Sequence, residues 1–224
     1  MIFKKFTTTC NNNIFLLFLG IVLSISFAIY AILNISFNIN SYTKYYEENN
    51  RVLTSEYKSD LLNIIEYIKG NSDELIGEYS QLERYHMVDV RGLFRVGNYI
   101  RMIGVFLFLI FLYNLLRNKI ILSQKNILFL IVGLLLIPIV IFIFVQLDFS
   151  RFFVYFHKLL FTNDKWLLPE SSRLIQILPE NLFLFLAKKI ISNYLIFAIG
   201  SIFIIYVINI INIRRKNEKF RKIF

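Results

Sequence analysis

The sequence has little of what most soluble enzymes use for chemistry or for solubility. Its 224 residues include one Cys, two His, eight Gly and three Pro, and only 18% of them are charged. A single Cys excludes a disulfide framework and a thiolate zinc cluster, and two His exclude a histidine-rich metal site. Soluble domains carry about 25% charged residues, whereas this chain is 57% hydrophobic. The composition therefore rules out a disordered chain and argues against a soluble domain.

Four long apolar stretches run through the chain. A bilayer core about 30 Å thick needs roughly 20 apolar residues in a helix that rises about 1.5 Å per residue. The stretches predict membrane-spanning helices at approximately 14–36, 97–116, 126–147 and 190–213. Pro138 lies inside the third span, where we expect a kink, because membrane helices tolerate such breaks. The predicted fold class is an all-α integral membrane protein, in which four transmembrane helices form two hairpins and the chain 1–224 forms a single membrane domain.

The basic residues are placed unevenly along the chain. The N-terminus, the loop 117–125 and the C-terminal tail together hold 11 of the 25 basic residues but only one acidic residue, Glu218. The 11 basic residues are Lys4, Lys5, Arg117, Lys119, Lys125, Arg214, Arg215, Lys216, Lys219, Arg221 and Lys222. The remaining segments hold 14 basic and 14 acidic residues, so the whole net charge of +10 lies on one side. Because Lys and Arg mark the cytoplasmic side, both termini are predicted to be cytoplasmic. The basic tail is expected to lie on anionic lipid and not on nucleic acid.

Two long outer segments, approximately 37–96 and 148–189, are then predicted on the extracytoplasmic face. Loops longer than about 15 residues are usually functional or disordered, and neither segment has a disordered composition. In the first segment, apolar residues at helical spacing follow Thr54 and Ser55 and end before Gly70, which predicts an amphipathic helix. Those residues are Tyr57, Leu61, Ile64, Ile65 and Ile68. The second segment is rich in aromatic residues and is predicted to lie at the membrane interface.

Both histidines lie in these outer segments, His86 shortly before the second span and His157 shortly after the third. On a helix, Glu83, His86 and Asp89 are three residues apart and share one face. A carboxylate beside an imidazole fixes its tautomer and stabilises its protonated form. An imidazole with a pKa near 6.5 suits general acid–base catalysis at neutral pH. We therefore hypothesise that the two histidines converge as catalytic residues and that Glu83 or Asp89 orients His86. The alternative is that each histidine is an ordinary interfacial residue.

Other kinds of active site find little support in the sequence. No metal and no cofactor are expected, because the histidines lack further well-spaced ligands and no P-loop, dinucleotide-binding or G-x-S-x-G pattern is present. Cys10 precedes the first span and is predicted on the cytoplasmic side, too far from either histidine to act as a nucleophile. Arg91 ends the stretch around His86 and is expected to support the site, although a solvated charge near the headgroups is a simpler interpretation.

Two motifs around the histidines resemble those of the bacterial lipoprotein intramolecular transacylase (Lit) family. The first is E-x-x-H-M-x-D-V-[KR], here 83–91 with the sequence ERYHMVDVR. The second is F-H followed by F-x-N and W, here 156–166 with the sequence FHKLLFTNDKW, and then a stretch flanked by Pro169 and Pro179. Both motifs occur in order, and the resemblance covers essentially the whole chain. Leu168 and Ser172 depart from the family pattern, in which Asp is expected at each of these positions.

The resemblance implies an enzyme of the bacterial plasma membrane whose active site faces outward. Its substrate would be a diacylglyceryl lipoprotein embedded among membrane lipids. The enzyme would move the sn-2 acyl chain from glycerol to the α-amine of the lipidated N-terminal Cys, which gives a lyso-form lipoprotein. The family's essential histidines correspond to His86 and His157. The alternatives are another membrane lipid-ester enzyme, such as a hydrolase, and a non-enzymatic membrane sensor or transporter subunit.

Overall fold

The computed structural model describes residues 8–9, 13–117 and 119–221. Within this part of the chain eight helices form nearly all of the regular structure. They are α1 (Asn13–Ser36), α2 (Ile39–Glu48), α3 (Ser55–Lys69), α4 (Gln81–Leu116), α5 (Gln124–Leu147), α6 (Phe149–Leu160), α7 (Arg173–Ile177) and α8 (Glu180–Arg221). Two short strands, β1 (Thr8–Thr9) and β2 (Ile120–Ile121), pair in parallel. Lys4, Lys5, Cys10 and Lys222, named above, lie outside the described residues.

Four of these helices, α1, α4, α5 and α8, are long and apolar enough to cross a membrane. The prediction of an all-α fold with four candidate spans is therefore confirmed. Two of the helices extend beyond the predicted spans. The helix α4 (Gln81–Leu116) contains the span predicted at about 97–116, and α8 (Glu180–Arg221) contains the one predicted at about 190–213. Hydropathy marks only the apolar part of a helix, whereas the backbone hydrogen bonds continue through its charged turns. The hairpin arrangement, the orientation of the termini and the kink at Pro138 stay predictions.

The chain divides into two compact units, and each of the four long helices contributes residues to both. The first unit comprises Met1–Ala28, Arg101–Val140 and Tyr194–Phe224, and the second comprises Ile29–Ile100 and Ile141–Asn193. Both histidines belong to the second unit. The single membrane domain expected over 1–224 stays a prediction.

The first unit is held together by close backbone packing and by satisfied polar groups. A Cβ atom on Gly20 of α1 would lie 2.5 Å from the carbonyl oxygen of Leu130, and one on Gly133 of α5 would collide with the backbone of α1. Only glycine allows two helices to approach so closely, as is common between helices in membranes. The buried hydroxyl of Tyr194 lies 3.1 Å from the hydroxyl of Ser24, so this polar group has a partner inside an apolar unit.

The second unit contains the amphipathic helix that the sequence predicts. The hydroxyl of Thr54 accepts a hydrogen bond from the backbone N–H of Tyr57 at 3.1 Å and begins α3. Gly70 ends the helix with a φ of 89°, the left-handed conformation that glycine adopts without strain. The predicted apolar face packs into a core shared with α2, the start of α4, α7 and α8. Its members are Tyr42, Tyr45, Tyr46, Leu61, Ile64, Ile65, Tyr67, Ile68, Leu75, Tyr79, Met87, Leu174, Ile177, Leu182 and Leu186.

The second outer segment is attached to this core by a cluster of charged side chains. Arg173, the first residue of α7, donates from Nε to Oδ2 of Asp60 on α3 at 2.9 Å, and its guanidinium also pairs with Glu56. Asp60 is buried, so its charge needs this partner. The contact holds α7 against α3. It thereby anchors one end of the segment 161–172, which connects α7 to the helix that carries His157.

Candidate active site

His86 lies in the second turn of α4, and a local cap fixes where that helix begins. The backbone N–H of Glu83 donates to the hydroxyl of Ser80 at 3.3 Å, and the backbone N–H of Ser80 donates to Oε2 of Glu83 at 2.7 Å. This reciprocal pair is a capping box, which satisfies two N–H groups that a helix otherwise leaves without partners. The His86 side chain is only 9% exposed, and its Nδ1 has no hydrogen-bond partner among the described residues.

His157 lies near the end of α6, and its tautomer is fixed by the backbone of its own helix. Asp148 caps α6 by accepting a hydrogen bond from the backbone N–H of Arg151 at 3.0 Å. Nδ1 of His157 lies 2.7 Å from the carbonyl oxygen of Phe153, one turn earlier. Because a carbonyl oxygen can only accept, Nδ1 carries the proton. In the neutral ring Nε2 is then left with a free lone pair.

The structure brings the two histidines together inside an aromatic enclosure. Their ring centroids are 6.2 Å apart and their planes differ by 33°. Phe161 covers both rings, with centroids 5.1 Å from His86 and 5.6 Å from His157. Phe153 lies 4.3 Å and Trp166 lies 5.1 Å from the His157 ring. A reacting group between the two imidazoles would be within reach of both.

Burial keeps both imidazoles neutral at neutral pH. His86 precedes the apolar stretch of α4. Burial is the main reason that its pKa is lowered to about 4. The neighbouring His157 also lowers this pKa, and the charge of Asp89 opposes the shift. Burial also lowers the pKa of His157, while the hydrogen bond to Phe153 opposes the shift. Near neutral pH both rings are therefore neutral groups that can accept a proton.

Glu83 is engaged with the backbone and not with the histidine that follows it. The side chain is 2% exposed. Its Oε1 accepts a hydrogen bond from the backbone N–H of Leu174 at 2.8 Å, while its Oε2 accepts the one from Ser80. Burial alone would raise the pKa of Glu83, but these N–H groups together hold it below its usual range. Glu83 therefore holds the start of α4 and the start of α7 together.

Asp89 lies one turn beyond His86 and is held by the second outer segment. Its Oδ2 accepts a hydrogen bond from Nδ2 of Asn163 at 3.0 Å. Its charge acts on His86 electrostatically and raises the pKa of that imidazole. Of the two predicted orienting carboxylates, Asp89 is thus the one whose charge favours the protonated form of His86.

Arg91 contacts the end of α3. Its guanidinium lies 4.8 Å from the ring centroid of Tyr67 and 3.4 Å from the carboxylate of Asp73. These contacts stabilise the packing of α4 on α3, and a supporting role at the histidines stays a prediction.

Within the described ranges, no three His, Cys, Asp or Glu side chains are grouped so that they could hold a metal ion.

Several residues that surround the histidines are not among the site residues predicted from the sequence. Phe153 and Phe161 lie four residues before and after His157, so the helical spacing of aromatic residues could have indicated the enclosure. Asn163 is part of the second motif but received no role, because its partner Asp89 is 74 positions away. The pattern S-x-x-E at 80–83 is the signal that could have placed the start of α4.

The profile of one protein family, lipoprotein intramolecular transacylase Lit, matches residues 11–183, well over half of the chain. The chain belongs to this family. It is therefore a membrane acyltransferase that acts on lipoproteins, as the two motifs predicted. No curated protein sequence matches the chain.

Solved structures of a Lit protein share the fold. The membrane-integral lipoprotein intramolecular transacylase Lit from Bacillus cereus is 23% identical, with a TM-score of 0.72 over 92% of this chain and 98% of that one. Two further structures of the Bacillus cereus protein, in which one histidine is replaced by arginine or by alanine, give TM-scores of 0.68 and 0.67. At this identity the likeness establishes the fold of a membrane-integral protein.

Proposed function

We propose that the protein moves the sn-2 acyl chain of a diacylglyceryl-Cys lipoprotein to the α-amine of the same Cys, with His86 and His157 as catalytic residues. The observation that carries this proposal is the 6.2 Å separation of the two imidazole centroids. The two residues are 71 positions apart in the sequence, and the fold gathers both at one aromatic enclosure.

The chemistry is an ester aminolysis in which one proton must be moved. The neutral amine attacks the ester carbonyl, so a C–N bond forms and the bond between the carbonyl carbon and the glycerol oxygen breaks. The amine loses a proton and the glycerol oxygen gains one. In this transfer His157 accepts the proton at Nε2, because its Nδ1 is already committed to the carbonyl oxygen of Phe153. The two imidazoles together carry this proton to the leaving oxygen, a contribution of about 10²–10⁴ in rate.

Proximity supplies the rest of the acceleration. Amine and ester belong to one molecule, so the enzyme has to fold the lipid headgroup until the two reacting atoms are in contact. The rings of Phe153, Phe161 and Trp166 offer apolar walls against which such a group can be held. The same walls exclude water, which favours transfer to the amine over hydrolysis.

We infer that the site opens to the outer leaflet of the bacterial plasma membrane and that the protein crosses the membrane four times. The concentration of basic residues on the termini and the loop 117–125 supports cytoplasmic ends. The exposed apolar side chains of α6, including Tyr155, Phe156 and Leu159, suit an interfacial helix. A diacylglyceryl substrate would then reach the histidines laterally from the surrounding membrane lipids, without nucleic acid, metal or cofactor as a partner.

Substitution of each histidine tests the proposed roles. Purified protein in lipid is incubated with a synthetic diacylglyceryl-Cys peptide, and the N-acyl product is followed by mass spectrometry. His86→Gln and His157→Gln are each expected to slow the reaction by about 10²-fold or more. Lys158→Gln, an exposed change next to His157, is the matched control and should retain activity. Full activity in either histidine variant would remove that residue from the mechanism.

A further inference from the structure

The turn between α6 and α7 carries two of the aromatic walls of the histidine pair. Phe161 lies against His86, and Trp166, five residues later, lies against His157. The conformation of residues 161–166 therefore decides whether both rings are covered. Within this turn the side chain of Asn163 is half-buried and uses both ends of its amide.

Asn163 makes one contact to α4 and one to its own turn. Its Nδ2 donates to Oδ2 of Asp89 at 3.0 Å, and its Oδ1 accepts a hydrogen bond from the backbone N–H of Lys165, also at 3.0 Å. The first bond joins the turn to the helix that carries His86. The second closes a turn at Lys165, the residue before Trp166. The Asn163 side chain thus links Asp89 to the turn that carries Phe161 and Trp166.

We propose that Asn163 is a positioning residue for the transacylation, which holds the Asp89 carboxylate beside His86 and the 161–166 turn over both imidazoles. This role rests on the proposed function, because it acts through the two histidines and touches no reacting atom. It requires a side chain that donates to a carboxylate and accepts from a backbone N–H at the same time. The Asn amide meets this requirement with two different atoms, since Nδ2 donates and Oδ1 accepts.

Substitutions at Asn163 separate this role from simple filling of space. Asn163→Ala removes both hydrogen bonds, and we expect a loss of about 10- to 100-fold in kcat, the range for a lost bond to a charged group. Asn163→Asp keeps the shape but places a second carboxylate beside Asp89. Near pH 8 the two negative charges repel, so this variant should be worse than Asn163→Ala. As the pH falls, two carboxyl groups can share one proton and rebuild the hydrogen bond.

The ratio of the Asn163→Asp rate to the Asn163→Ala rate is therefore expected to rise several-fold between about pH 8 and pH 5.5. Titration of the substrate amine is common to both variants and cancels in this ratio. Titratable or charged groups around the Asp89–Asn163 pair include His86, on which Asp89 acts electrostatically, the neighbouring His157, and Asp164 and Lys165, which follow Asn163 in the chain. A ratio that does not change with pH would overturn the proposal.

Fluorescence gives a second readout that does not depend on catalysis. Trp166 is the only tryptophan and lies beside His157, whose protonation should quench its emission. Asn163→Ala should shift that emission and weaken its pH-dependent quenching, whereas Thr162→Ala, an exposed change in the same turn, should alter neither. The reciprocal variant Asp89→Asn with Asn163→Asp restores a donor and an acceptor across the contact and should recover the wild-type spectrum.

The two readouts distinguish the two proposals. If the wild-type protein shows no acyl transfer but Asn163→Ala changes the Trp166 emission and the reciprocal variant restores it, the proposed function fails while Asn163 still positions the turn. If the histidines prove essential but Asn163→Ala retains wild-type kcat and wild-type fluorescence, the proposed function stands and the role of Asn163 is wrong. If Asn163→Ala does not fold, the ratio of the two rates cannot be measured, and the Trp166 emission of Asn163→Asp provides the test. Emission like that of the wild type at pH 8 would then contradict the role of Asn163.

Discussion

The carboxylate of Glu83 accepts a hydrogen bond from the backbone N–H of Leu174 at 2.8 Å, across 91 positions of the chain. The same carboxylate caps the start of the helix that carries His86. The buried Glu83 side chain therefore holds the start of α4, in the first outer segment, against α7, in the second. This contact gives Glu83 a structural task that differs from the orientation of an imidazole.

Glu83→Gln is expected to lower the free energy of unfolding by about 2 kcal/mol. The neutral amide oxygen is a weaker acceptor than the carboxylate, and the amide NH2 would face a backbone N–H that also needs an acceptor. Thermal unfolding in detergent or lipid measures the change. Glu78→Gln, an exposed glutamate nearby, is the control and should have little effect. Equal stability of the Glu83 and Glu78 variants would show that the buried contact contributes nothing.

The stability contribution of Glu83 should depend on pH in a defined direction. Its folded-state pKa lies below the usual range, so the carboxylate stabilises the fold above the unfolded pKa, about 4.5. This stabilisation is lost as the pH falls through the folded value. The difference in unfolding free energy between wild type and Glu83→Gln should therefore be constant near pH 7 and shrink in acid. A difference that grows in acid would contradict this sign.

The two histidines should fail as one catalytic unit. Because the proposed proton transfer needs both rings, the double variant His86→Gln with His157→Gln is expected to lose little more activity than the worse single variant. Rates of N-acyl product formation by all three variants provide the comparison. Independent roles would instead give losses that multiply. A double variant as active as wild type would make both residues ordinary interfacial histidines.

The pH dependence of the reaction should reflect neutral imidazoles and a titrating substrate amine. Burial lowers the pKa of both histidines, so they remain competent bases below pH 6.5. The α-amine of the substrate has an ordinary pKa of about 8 and must lose a proton before it attacks. The value of kcat/KM should therefore rise between about pH 6 and pH 8.

Asp89→Asn removes the charge that raises the pKa of His86, so NMR titration of the His86 imidazole should show a still lower pKa.

Accessibility of introduced cysteines tests the orientation of the chain. In a background that carries Cys10→Ser, Lys58→Cys and Asp164→Cys should react with a membrane-impermeant maleimide in intact cells. Asn217→Cys should react only after the cells are opened. These outcomes follow from the one-sided placement of the basic residues. Protection of residues 58 and 164 in intact cells would place both histidines on the wrong side for an outer-leaflet lipoprotein.

Local features of the fold could be predicted because they depend on neighbouring residues. The helix from Ser55 to Lys69 has its cap, its apolar spacing and its terminal glycine within one short stretch, and each lies where the sequence indicates. The predicted span 97–116 covers only the apolar part of α4, because hydropathy does not register the charged turns at the start of this helix. The capping pair Ser80 and Glu83 was the local signal for it.

The site could be predicted only in part, because its contacts join distant segments. The two motifs indicated His86 and His157, but their 6.2 Å separation depends on the tertiary fold. The same is true of the partners of the carboxylates. Helical spacing placed Glu83 and Asp89 on the face of His86, whereas Leu174 and Asn163, which they contact, come from the other outer segment. No local pattern reports such pairings.

The position of the acyl chain in the product distinguishes internal transfer from hydrolysis. A diacylglyceryl-Cys peptide with an isotope-labelled sn-2 chain is incubated with the wild-type protein, and the product is fragmented in a mass spectrometer. We expect an unchanged total mass, with the labelled chain on the α-amine and a free hydroxyl on glycerol. A product lighter by one acyl chain, with labelled fatty acid released, would show hydrolysis and contradict the proposed internal transfer.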